Sequence, residues 1–239
     1  MGSIKTIAIV ILVSGALIAM LALWQDSKTA PVQELILDNQ SAEHISDAVL
    51  PLTPEENEIT NPLITNTMNP TARFITNRGV IELELFADQM PVTVGNFTQL
   101  AESGFYDSTK FHRVIPNFMI QAGDPNTRGD NEAIYGRGGP ESNVADEFIA
   151  GELLTNTRGT IAMANTGQPN SGGSQFFINL VDNTGLDFDK PPTQSKHPVF
   201  GRVTVGMDIV DAIGATATKG GDIPVEPVVI ETIEIVSGK

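Results

Sequence analysis

FHRVIPNFMIQAGD, residues 111–124, sets one arginine among large apolar side chains. Phe111–Ile115 and Phe118–Ala122 read as two short strands. Side chains alternate across a strand, so Phe111, Arg113 and Ile115 share a face that excludes His112 and Val114. In the second run, Phe118 and Ile120 oppose Met119 and Gln121 unless a bulge shifts the register. A guanidinium within a run of large apolar residues is costly without a partner or a ligand. Arg113 is therefore a site candidate on its chemistry alone.

Outward from this stretch the chain keeps the same texture. Upstream, Arg73–Thr76 and Gly79–Phe86 alternate apolar and polar residues around Asn77-Arg78-Gly79, the pattern of a β-hairpin. Pro91 then opens a helix over Val92–Ser103, with Val94, Phe97, Leu100 and Ala101 on one face and Gly104 as its stop. Downstream, Gly159–Ala164, Gln175–Leu180 and Val199–Val203 are further short strands. A second helix fits Met207–Ile213, ended by Gly214, and a last strand fits Val228–Ile235. Many short strands with two helices point to a mainly β protein, a closed barrel with covered ends.

Two segments taken together, residues 111–124 and GTIAMAN…NSGGSQFFI (159–165 and 170–178), resemble the cyclophilin family. Val199-Phe200-Gly201-Arg202-Val203 followed by Gly206-Met207-Asp208-Ile209-Val210 resembles that family's closing section. The likeness runs from about Thr71 to Val236. It implies a closed eight-stranded antiparallel barrel with two capping helices, a groove on its outer face, and peptidyl-prolyl cis–trans isomerase activity. By motif position Arg113 resembles the catalytic arginine, and His112 is its neighbour in the motif. Phe118, Met119, Phe177 and Leu186 resemble the walls of a proline pocket, with His197 at its edge. Gln121, Ala164, Asn165 and Gln175 resemble the residues that hold the substrate backbone.

These residue types suit the reaction. The barrier to X–Pro rotation is amide conjugation, about 18–20 kcal/mol, and the unaided reaction takes tens to hundreds of seconds. No substrate bond breaks, so no nucleophile, metal or cofactor is expected. Ser174 lacks the surroundings of a nucleophile elbow, and Gly136–Gly139 lacks the Lys-Ser/Thr of a phosphate loop. A competing role in a different class is a proline-binding adaptor or holdase with incidental catalysis; Arg113 favours the enzyme, since a pure binder has no need of that donor.

Three departures from the family pattern stand out. Gly185 occupies the position before Leu186-Asp187, where the family often carries Trp or Phe; weak cyclosporin binding is the expectation. Residues 188–196 are inserted between Leu186 and His197, which leaves the placement of both open. Ala122 replaces a family glycine.

The chain as a whole has 239 residues, a net charge of −15, three histidines and no cysteine. The charge argues against a nucleic-acid partner, which would require a basic face. Without cysteine there is no disulfide, thiolate zinc site or thiol chemistry. Ile7–Trp24 is 18 residues without a charge, with Lys5 before it and Trp24 at its end. It reads as an uncleaved single-pass anchor rather than a signal peptide. The expected organisation is an anchor at 1–25, an acidic tether at 26–70 with a helix-like stretch Val32–Leu50, and an isomerase domain at 71–239. With a bacterial host, this places the domain in the periplasm on the inner membrane, or free there after cleavage. Its expected partners are proline-containing polypeptides.

Overall fold

The computed structural model describes residues 69–191 and 196–236. The expected anchor and nearly all of the tether, including Val32–Leu50, lie outside the described residues. Among the described residues no helix is long and apolar enough to cross a membrane.

The first hairpin forms as its alternation predicts. Strand β1 (Thr71–Thr76) pairs with β2 (Gly79–Leu85) from Thr71↔Glu84 to Thr76↔Gly79, so Asn77 and Arg78 alone make the turn. Ala72, Phe74, Ile81, Leu83 and Leu85 are fully buried on one face. The strands that follow are β3 (Thr109–Lys110), β4 (Arg113–Ile115), β5 (Met119–Ala122), β6 (Thr160–Met163), β7 (Phe176–Asn179), β8 (Val199–Val205), β9 (Thr218–Lys219), β10 (Ile223–Pro224) and β11 (Val229–Val236). Among the described residues nine of these make one antiparallel sheet in the order β3-β11-β1-β2-β8-β6-β7-β5-β4, and β9 and β10 form a separate small hairpin.

The expected closed eight-stranded barrel is therefore corrected to a nine-stranded curled half-barrel with two edges. Both edges come from one run of chain, because only Phe111 and His112 separate β3 from β4. The Phe111 N–H donates to the Val228 carbonyl (2.9 Å), and the His112 N–H donates to the Gln121 carbonyl (3.0 Å). The chain thus passes from the β11 side to β5 within one residue, and among the described residues no ladder joins the edges. This switch also overturns the alternation read for 111–115. Phe111 and His112 are both buried, at 1% and 4% exposure, whereas Arg113 and Ile115 are half-buried.

Among the described residues two α-helices cover the sheet. Helix α1 (Pro91–Glu102) starts at Pro91 as expected and buries Thr93, Val94, Phe97 and Ala101. Its own sequence offers neither a side-chain cap nor an acid in the first turn. Instead the Glu147 carboxylate accepts from the N–H groups of Val92 (3.1 Å) and Thr93 (2.8 Å), satisfying free donors and complementing the helix dipole. Helix α2 (Met207–Gly214) buries Val210 and Ile213. Gly214 is its last residue rather than a stop after it. A Cβ there would lie 2.7 Å from Leu180 Cδ1, so close packing is what calls for glycine. Between helices and sheet lies an aromatic cluster centred on Phe97, whose ring meets those of Phe74, Tyr106, Phe176 and Phe200 at centroid distances of 5.3–6.1 Å.

Candidate active site

Strand register places three of the expected site residues in one row. Residues directly opposite in an antiparallel pair point to the same face. Arg113 on β4 is opposite Gln121 on β5, which is opposite Phe177 on β7. The next row on that face is Ile115, Met119 and Asn179. The interleaved Val114, Ile120 and Ile178 point the other way and are fully buried in the core. The Arg113 side chain keeps 42% of its surface exposed, and its Nε lies 3.5 Å from an Asp222 carboxylate oxygen.

The polar candidates are fixed by their neighbours. Gln121 Nε2 donates to Gln175 Oε1 (3.0 Å), and Gln175 Nε2 donates to the Gly138 carbonyl (2.8 Å). The Ala164 N–H donates to the Gln175 carbonyl (2.9 Å). Asn165 Nδ2 donates to the Lys196 carbonyl (2.6 Å), and its Oδ1 accepts from the Gly167 N–H (3.0 Å). Gln121, Ala164, Asn165 and Gln175 line one cavity of about 610 Å3, together with Arg137 and Gly138. Gln121 belongs both to this cavity and to the Arg113 row, so the two share a wall.

Of the apolar candidates, register sets Met119 and Phe177 on the same face as Arg113. Met119 and Phe177 are 1% and 4% exposed, and Phe118 is half-buried. Phe118 follows a turn in which Asn117 takes a φ of 58°, and its carbonyl accepts from the Leu180 N–H and from Asn183 Nδ2, both at 2.9 Å. Leu186 and His197 lie together despite the insertion. The His197 N–H donates to the Leu186 carbonyl (3.0 Å), so the two residues flanking the insertion meet directly. A buried network clamps that base: Asn156 donates to Asp187 Oδ1 from its main chain and side chain, both at 2.8 Å, and to the His197 carbonyl (3.0 Å).

The His197 ring meets Phe177 edge-on, 5.4 Å between centroids. Its Nδ1 lies 3.0 Å from the Met163 carbonyl, which makes Nδ1 the protonated nitrogen. Burial holds its pKa below the ordinary histidine value, against a smaller upward pull from that carbonyl. The ring is thus neutral at neutral pH.

His112 does not join this row. It lines a different, smaller cavity of about 80 Å3 with Lys110, Tyr135 and Pro224. Neither ring nitrogen has a hydrogen-bond partner among the described residues. Burial lowers its pKa, with the Asp124 carboxylate the main opposing influence. The Lys110 main chain and then the Gln175 amide pull upward as well, and the Arg113 charge opposes them, though the Gln175 amide's own bonds go to Gln121 and Gly138.

The family model described as "Cyclophilin type peptidyl-prolyl cis-trans isomerase/CLD" matches residues 71–235. The chain belongs to the cyclophilin family. It is 43% identical over 194 residues to a probable peptidyl-prolyl cis-trans isomerase A of Mycobacterium leprae, covering 74% of this chain and 96% of that one. It is 42% identical over 172 residues to peptidyl-prolyl cis-trans isomerase B of Escherichia coli, covering 68% and 97%. A crystal structure of a Cryptosporidium parvum cyclophilin-type isomerase superposes with a TM-score of 0.59 at 31% identity, covering 72% of this chain and 99% of that one. The same protein was also solved in the presence of the dipeptide Ala-Pro. This cyclophilin is a peptidyl-prolyl cis–trans isomerase.

Two features of the cyclophilin site escaped the sequence reading. Asp222 is 109 positions from Arg113 in the chain, and the KGGDIP stretch around it carries no periodicity or motif. Asn156 and Asp187 are ordinary polar residues until folding buries them at 0% and 3% exposure.

Proposed function

We propose that this cyclophilin accelerates X–Pro rotation by donation from Arg113 to the prolyl nitrogen, with the proline ring seated among Phe118, Met119, Phe177 and Leu186. The observation that carries the reading is the row Arg113–Gln121–Phe177, which sets a half-exposed guanidinium beside an apolar wall on one face. As the amide twists, the nitrogen lone pair localises and becomes a hydrogen-bond acceptor. A donor that meets it only then stabilises the transition state over the ground state. Arginine stays charged at every physiological pH. Millisecond turnover requires about a 10⁵-fold acceleration, roughly 7 kcal/mol, more than one charged hydrogen bond supplies. The remainder comes from holding the ring while Gln121, Asn165 and the main chain fix one side of the bond.

The substrates in this reading are proline-containing polypeptides outside the cytoplasm. The uncharged stretch Ile7–Trp24 and the acidic segment after it support that placement.

The test is an isomerisation assay on Ala-Pro peptides with the full chain, wild type beside Arg113→Ala. The variant is expected to lose about 10²–10³-fold in kcat/KM. A folded variant with the wild-type rate overturns the arginine mechanism. Complementation of a null strain by an inactive Arg113→Ala chain would point to a binding role instead.

A further inference from the structure

Asp222 is the only carboxylate paired with Arg113 among the described residues, and its own position is set by main-chain geometry. It closes the turn between β9 and β10 at a φ of 60°, directly after Gly221, whose φ is 81°. Its carbonyl accepts from the N–H of Val114 at 2.8 Å. β4 is the last strand of the sheet, so this bond caps its free edge at the residue beside Arg113. Pro224, two residues on, is buried and pairs with Thr218 across the hairpin. One turn therefore both seals the strand that carries the arginine and presents a carboxylate to its Nε.

We infer that Asp222 is a positioning residue for Arg113. The inference rests on the reading of Arg113 as the donor to substrate. A guanidinium has five N–H groups in a rigid plane. Held at Nε by Asp222, that plane keeps both Nη groups free to face the substrate and loses rotamers that would aim them elsewhere. Asp222 touches no substrate and acts only through the arginine.

The test uses the full chain and Asp222→Asn. Asparagine tolerates positive φ as aspartate does, so the turn survives while the charge is lost; alanine would strain the turn and confuse the two effects. The expected result is a fall in kcat/KM of roughly two- to fivefold, the rate equivalent of a half-exposed ion pair. The gap should narrow as salt is raised, because such a pair is screened. The Arg113 Nε–H resonance should show a lower order parameter in the variant, a change that a merely structural role leaves untouched. In an Arg113→Ala background, Asp222→Asn should cost nothing further. An unchanged or faster rate with an unchanged Nε signal, or full additivity with Arg113→Ala, overturns the inference while leaving Arg113 in place. Wild-type activity of Arg113→Ala itself overturns the underlying reading and this one with it.

Discussion

Gly185 sits in a short 3-10 turn, Thr184–Leu186, immediately before the proposed pocket wall. Family members sensitive to cyclosporin carry a tryptophan at that position. Glycine offers no ring for the drug to lie against, so weak binding is the expected outcome of a titration, and sub-micromolar affinity would refute it. His112 yields a second residue-scale prediction. Its pKa lies below the ordinary 6.5 because burial penalises the charged ring, more than Asp124 favours it. Below about pH 6.5 the unfolded chain then binds a proton that the folded one refuses. The contribution to stability is full above that pH and falls as the solution is acidified, until the folded ring titrates. Among the described residues its nitrogens make no well-formed hydrogen bond, so His112→Phe removes buried polar atoms at little change of shape. That variant should be neutral to stabilising at pH 7, with a shallower loss of Tm between pH 6.5 and 5 than wild type; an unaltered acid slope would count against the argument. Arg113 and its motif neighbours were legible in the chain because a charge inside an apolar run is conspicuous. Asp222 was not, because nothing local distinguishes it from other loop acids.

Helix α1 has a proline start legible in the chain and a cap that is not. Glu147 lies more than 50 residues from the N–H groups it satisfies. Glu147→Ala should cost about 1–2 kcal/mol in denaturant unfolding, the range of a lost helix cap, with kcat/KM unchanged. No loss of stability would mean that water replaces the carboxylate freely. The strand read over Phe111–Ile115 is the counterexample at this scale. Its composition is that of one strand, but it splits between two partners at Phe111-His112, and the predicted alternation fails there. Alternation reports a single sheet environment, and a segment that serves both edges of the sheet has two.

Among the described residues the aromatic side chains gather where helix α1 meets the sheet. The Phe97 ring touches four other aromatic rings from four different parts of the chain and has no exposed surface. Phe97→Ala should destabilise by about 3–5 kcal/mol, which lowers Tm by roughly 10 °C in a domain of this size; a shift of only a degree or two would show that the cluster closes over the cavity. The sequence by itself determined the hairpin, both helices, most strands and the family. Those depend on local periodicity, on turn residues and on motifs contiguous in the chain. Only the tertiary structure decided that the sheet has edges, that Leu186 and His197 meet across the insertion, that His112 lines a separate cavity, and that Asp222 stands against Arg113. Each of these is a contact between distant segments. Such contacts are fixed by register and by the burial of polar partners, and neither leaves a periodic trace in the chain.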